Sequence, residues 1–490
     1  MGRERRLEIR DWRAEISSQT SKLYSTNLQS PELLRIPLLR RLLVSRWPQF
    51  TVRALALTGF LLAIAAGLLD TLVGNRNFAI VFVWIAWWAL LILAAVPLAG
   101  RAWCSVCPIP LPGEWLQQGA IMAPGEKTRG LGLGRRWPRR LNNIWLQNGG
   151  FVLLALFSAV VLTDPRVTAL VLAAFIVAAT ATALVYERRA FCRYLCPVGG
   201  FIGLYAQTAP LEVRVKDTAV CAGHRQKTCY TGNASGEYRG YGCPWGVFPG
   251  GLYKNTYCGL CLECLRTCPQ DNIAFQIRSV GADLNVARGR RLDEAYKAFI
   301  MLGSAAVYST VMLGPWGVLK EAAYQVGSTG WFVYAAGFLL VALVLLPGLF
   351  WLMVRAGYHL TQGGQQQQRR SVRQDFVAQA YSLVPLGLAA WVAFSLGFVF
   401  ANITYIGPAL SDPFGWGWNL LRTAGWNWTP LLTGVTPTLQ VLALVGGLWW
   451  SVRLTRRIAA EDGGVPARGA LPVALFNFLL TVGLLWLLVG

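Results

Sequence analysis

Residues 258–269 read Cys258-Gly259-Leu260-Cys261-Leu262-Glu263-Cys264-Leu265-Arg266-Thr267-Cys268-Pro269. Three thiols spaced three apart on a tight loop can face one cube of iron and sulfide. The fourth, followed by proline, points away and serves a neighbouring cluster. Zinc is the competing reading, but zinc ligands usually come as two C-x2-C pairs far apart in sequence. The stretch therefore predicts a loop wrapped around an iron–sulfur cluster.

All eleven Cys lie between residues 104 and 268. Upstream of the dense motif stand Cys221, Cys229 and Cys243-Pro244. By the crossed-ligand logic of two-cluster ferredoxins, Cys243 joins Cys258, Cys261 and Cys264. Cys268 then joins Cys221 and Cys229, which leaves that second set one ligand short. His224, three residues after Cys221, is a candidate, since His can replace Cys on iron. A solvated loop histidine, a three-iron cluster and a ligand from elsewhere are the alternatives.

The other four Cys form a repeat. Arg101-Ala102-Trp103-Cys104-x2-Cys107-Pro108 is matched by Arg189-Ala190-Phe191-Cys192-x3-Cys196-Pro197. Each closes a pair of apolar segments, so the two hairpins read as a parallel internal repeat. Repeats place equivalent positions about a shared axis. Four thiols are then expected at one end of a four-helix unit, as a third [4Fe–4S] cluster or as redox-active thiols. The bland alternative is four unliganded small hydrophobes.

Hydropathy sets the frame for these motifs. The chain of 490 residues is 54% hydrophobic and 14% charged. Runs of roughly 20 apolar residues cross a bilayer. Nine are expected: Arg53–Gly74, Phe78–Ala99, Ile144–Thr163, Val167–Tyr186, Tyr296–Leu313, Trp331–Val354, Val377–Ala401, Pro430–Val452 and Ala470–Val489. The first is too long for the apolar core of a signal peptide. The fold class expected is an α-helical polytopic membrane protein with an inserted ferredoxin-like module. Its domains are a basic arm (1–52), a four-span unit with both C-P motifs (53–204), the iron–sulfur module (205–292) and a five-span unit (293–490).

The net charge of +22 does not indicate nucleic acid. With the N-terminus inside, the outer loops hold only Arg76, Arg166, Lys320 and Arg422, and the other 41 of 45 basic residues fall inside. That bias orients membrane proteins, and the basic arm suits anionic headgroups. It predicts an inner (cytoplasmic) membrane protein with the N-terminus and clusters cytoplasmic and the C-terminus outside. Disulfides are disfavoured in that compartment.

At these residues the chain resembles membrane polyferredoxins of the NosR/NapH type, with features shared with the FixG/CcoG group. The likeness runs over residues 50–290. Cys192 and Cys196 match the paired C-x3-C-P motif of those families, and Cys104 and Cys107 are one residue tighter. Cys258, Cys261, Cys264 and Cys268 match the ferredoxin motif, from which Cys221, Cys229 and Cys243 depart. The resemblance implies electron transfer between a cytoplasmic-side redox partner and the quinone pool or a partner subunit. Its FixG/CcoG side implies an alternative, a cluster-dependent copper reductase or maturation factor. No flavin-attachment domain is visible. With His224 and His359 the only histidines, a bis-His haem wire is not expected. Asp70, near one end of the first span, is a candidate proton or quinone residue, since intramembrane acids are functional by default. Trp416, Trp418, Trp426 and Trp428 read as an interfacial aromatic belt or a docking rim.

Overall fold

The structure, a computed structural model, describes residues 31–69, 76–125, 129–314, 317–361, 370–461 and 464–489. Asp70, the first thirty residues of the basic arm and nearly all of the Gln-rich stretch 363–370 lie outside them. Among the described residues seven helices are long and apolar enough to cross a membrane. They are Trp47–Leu69, Phe78–Ala99, Pro165–Val185, Leu292–Leu313, Thr329–His359, Val372–Ser411 and Ala467–Val489. The expectation of nine is not reached, for two separate reasons. The third segment forms a short helix, Trp145–Leu156, and then breaks at Phe157, whose backbone leaves the helical region at φ −98° and ψ 11°. The eighth forms a 24-residue helix, Thr436–Ala459, whose last turns carry Arg453, Arg456 and Arg457. That helix starts at Thr436 because Pro437 sits in its first turn, where a missing N–H costs nothing.

The helices share one apolar core across both membrane units. Trp391 is its hub. Its indole donates to the Met301 carbonyl at 3.0 Å, and its ring meets those of Trp88, Phe151 and Phe201 within 6.3 Å. Trp88 in turn donates to Ser395 at 3.1 Å. Buried indoles fill much volume and need a partner for the N–H; here the Trp88–Ser395 bond and the rings around Trp391 join the N-terminal helices to the C-terminal ones.

The module is small. Leu211–Val215 pairs antiparallel with Ile273–Ile277, with Val213 opposite Phe275. Its apolar core holds Val213, Val215, Leu260, Leu262, Leu265 and Ile273, and also Leu34. The described part of the arm is thus a strap on the module. Pro31 accepts from Ile277 N–H at 3.2 Å, Arg40 pairs with Asp271 at 2.9 Å and Arg46 with Glu263 at 2.6 Å. The helix expected near Leu33–Leu43 is present as Pro37–Val44, with Leu38 and Leu42 exposed. It buries no residue itself; Leu34, just before it, makes the anchor.

Candidate functional site

Each repeat motif follows a membrane helix and ends in a cysteine that starts or stops a turn. Cys104 lies in helix Ala102–Val106, and Cys107 ends it. Cys192 lies in the π turn Phe191–Leu195, and Cys196 caps helix Pro197–Tyr205, its Sγ accepting Gly199 N–H at 3.2 Å. The two motifs exchange arginines. Arg101 of the first donates to the Gly199 carbonyl of the second at 2.5 Å, and Arg189 of the second donates to the Cys104 carbonyl of the first at 2.8 Å. This reciprocal lock gathers all four thiols. The Cys107 thiol is raised by burial to about 12, and Cys104 and Cys196 nearby add to the rise. Cys192 is pushed up by burial and feels both Cys107 and Cys104.

The dense motif folds as a loop because Leu260 and Leu262 take left-handed backbone at φ 48° and 59°. Such conformations strain a Leu and persist here because both side chains are buried in the module core. Burial lifts the Cys258 thiol to about 11 and Cys261 to about 12, and both feel Cys243. Cys264 is raised by burial, then by Cys258, Cys261 and Cys243. The third set is Cys221, Cys229 and Cys268. Cys229 is raised by burial to about 12, and Cys221, Cys268 and Cys243 add to the rise. Asn272 donates to Cys221 Sγ at 3.2 Å. His224 is half-exposed at the end of helix Thr218–Gly223, with its backbone N–H on the Val220 carbonyl. The charged groups that act most on Cys221 are Cys268, Lys227 and Asp217.

Arranged by the crossed-ligand pattern, the eleven thiols make sets of four, four and three, and Cys229 also acts on Cys264 across two of them. Among the described residues, no three His, Cys, Asp or Glu side chains gather tightly enough for a single metal ion. A cubane suits these wider sets, because each of its thiolates takes a separate iron. Neutral buried thiols must also ionise when metal binds, so loading releases protons.

Basic and aromatic side chains fill the space between the sets. Arg189 is buried and paired with Glu114, which Arg53 also holds at 2.5 Å. Burial alone would raise the Glu114 carboxyl, but the two guanidiniums outweigh it and hold it near 2. Arg189 also acts on Cys261, so it faces the first two sets at once. Arg101 stacks on Trp245 at 4.5 Å and donates to the Thr256 carbonyl at 2.5 Å. Trp245 is buried against Gly259, where a Cβ would stand 1.9 Å from the indole nitrogen. The indole therefore lies between the membrane-side set and the Cys258 loop.

The four-residue groupings were legible as motifs, but Trp245, Glu114 and Lys297 were not. Glu114 and Trp245 lie within a few residues of Cys-Pro pairs, a weak signal. Lys297 sits in an apolar run far from any cysteine, and only packing brings it near Cys196.

Residues 80–132 and 168–214 match the family model described as a 4Fe-4S binding domain. Each stretch contains one of the two C-P motifs. The chain is an iron–sulfur protein, mostly helical, with apolar helices compatible with a membrane. No curated protein and no solved structure matches it.

Proposed function

We propose that this is a membrane-bound electron-transfer protein of the NosR/NapH polyferredoxin type. One cluster is held by Cys104, Cys107, Cys192 and Cys196. A second is held by Cys258, Cys261, Cys264 and Cys243. A third is held by Cys268, Cys221 and Cys229, with His224 the nearest candidate in sequence for its fourth corner. A bound cluster stores and releases single electrons, at a potential set by charge, burial and hydrogen bonds to sulfur. The protein supplies spacing, dry surroundings and cations. The three sites lie at the cytoplasmic face of the inner membrane, where a soluble redox partner meets the outer set.

At the membrane end the partner is the quinone pool. An apolar pocket lined by Trp84, Trp88, Phe151, Val198, Tyr308 and Phe394 supports this. Val198 is two residues beyond Cys196, so a flat aromatic headgroup would rest near the membrane-side thiols. The observation that supports the reading is that the two repeats, each matching a 4Fe-4S binding domain, are locked together by Arg101 and Arg189 beside Cys104, Cys192 and Cys196. Protein purified without oxygen is expected to hold iron and sulfide for three clusters, which a short-chain quinol or its quinone reduces or oxidises in membranes. Colourless protein, or clusters that respond to neither, would overturn the assignment.

A further inference from the structure

Lys297 is fully buried on helix Leu292–Leu313, in the C-terminal membrane unit. Its ammonium donates to the Gln147 carbonyl at 3.3 Å and lies 4.8 Å from the Phe151 ring centre. Gln147 in turn donates to the Cys192 carbonyl at 3.1 Å. Among the described residues no carboxylate pairs with Lys297. A buried cation without a counter-charge costs several kcal/mol. Among the described residues, the acidic group acting on it is the Cys196 thiol.

The helix after Cys196 is built to admit this cation. A Cβ on Gly200 would stand 2.9 Å from Lys297 Nζ and 3.0 Å from Cε. A Cβ on Gly203, one turn on, would stand 3.1 Å from the Arg101 guanidinium. Arg101 likewise donates to carbonyls and stacks on Trp245 without an acid. Two buried cations thus reach the same thiol set past two glycines, whereas the third, Arg189, is neutralised by Glu114.

We propose that Lys297 is the buried counter-charge of the membrane-side cluster and a positioning residue that sets its reduction potential. This rests on a cluster being held by Cys104, Cys107, Cys192 and Cys196. Four thiolates around iron and sulfide carry net negative charge, which grows on reduction, so a fixed ammonium favours the reduced form. The C-terminal unit then contributes to redox chemistry although it contains no cysteine.

The test is a redox titration of the full-length protein followed by EPR, with iron counted per chain. The cluster lost in Cys192→Ser marks the membrane-side signal. In Lys297→Met the midpoint of that signal is expected to fall while the others stay in place, and Lys297→Arg is expected to restore it. Gly200→Ala keeps the charge but displaces the ammonium, and is expected to produce a smaller fall. Loss of this cluster alone in Lys297→Met, recovered in Lys297→Arg, also supports the role. An unmoved midpoint in Lys297→Met with iron retained overturns it. So does a cluster lost in both Lys297 variants with an unmoved midpoint in Gly200→Ala. Wild-type protein with no signal to assign to Cys192 would instead refute the cluster assignment itself.

Discussion

The membrane-side thiols and the outermost three are both redox sites in this reading, yet they are held differently. Cys104, Cys107, Cys192 and Cys196 stand at the ends of helices fixed in the large apolar core, cross-linked by Arg101 and Arg189. Cys221, Cys229 and Cys268 stand on one-turn helices and loops beside a two-stranded sheet, with Asn272 as the donor to sulfur. The first set would keep its scaffold without metal. The second has little scaffold besides the metal. A small domain with so short a core depends on its clusters for folding energy. The difference places rigidity and buried charge around the repeat thiols and a lighter scaffold around the outer three.

The largest effect expected is iron removal by chelator under reducing conditions. Residues 217–291 should become protease-sensitive while far-UV circular dichroism keeps most of its helical signal. Equal loss in both regions would break the contrast. Next in size is Cys104→Ser, which should remove about four irons per chain and spare the module signals, as read by iron analysis and EPR. Cys221→Ala should instead disturb only the outer set, and unchanged iron in either variant removes that site.

Smaller again is Arg189→Ala. It strands Glu114 beside Arg53 alone and takes the tie from the Cys104 carbonyl. Breaking a buried pair costs roughly 3–5 kcal/mol, visible as a lower thermal midpoint. Arg189→Lys should recover part of it, since an ammonium lacks the two-pronged geometry. Glu114 also gives a pH dependence. Its carboxyl is held near 2, below the ordinary 4.5. Its stabilisation is therefore complete above pH 4.5 and disappears as the pH falls towards 2. Thermal midpoints should drop across that window, and less so in Glu114→Gln, which starts lower. The smallest change expected is in Trp245→Phe. It should leave iron content intact and slow electron exchange between the first two sets, measured by rapid-freeze EPR.

The dense motif at Cys258 was legible because its cysteines are close in sequence, and the loop it implied is present. The repeat was legible because two copies of R-A-aromatic-C can be compared. Span counting was less secure. Ile144–Thr163 is apolar on average, but Gln147 and Asn148 are drawn into hydrogen bonds with the Cys192 and Asp293 carbonyls, and the helix breaks at Phe157. Hydropathy averages cannot register such bonds. The strap formed by Leu34, Arg40 and Arg46 was hidden for a similar reason, since the partners of Arg40 and Arg46 lie more than 190 residues away.

Composition, hydropathy and cysteine spacing alone pointed to iron–sulfur binding and to apolar helices of membrane-spanning length, because both are written in short-range patterns. The exchange of Arg101 and Arg189 between repeats and the arrival of Lys297 against Gly200, in the helix after Cys196, were decided by tertiary structure. Charges and thiols distant along the chain meet only when helices pack, and packing depends on shape complementarity that no local pattern carries.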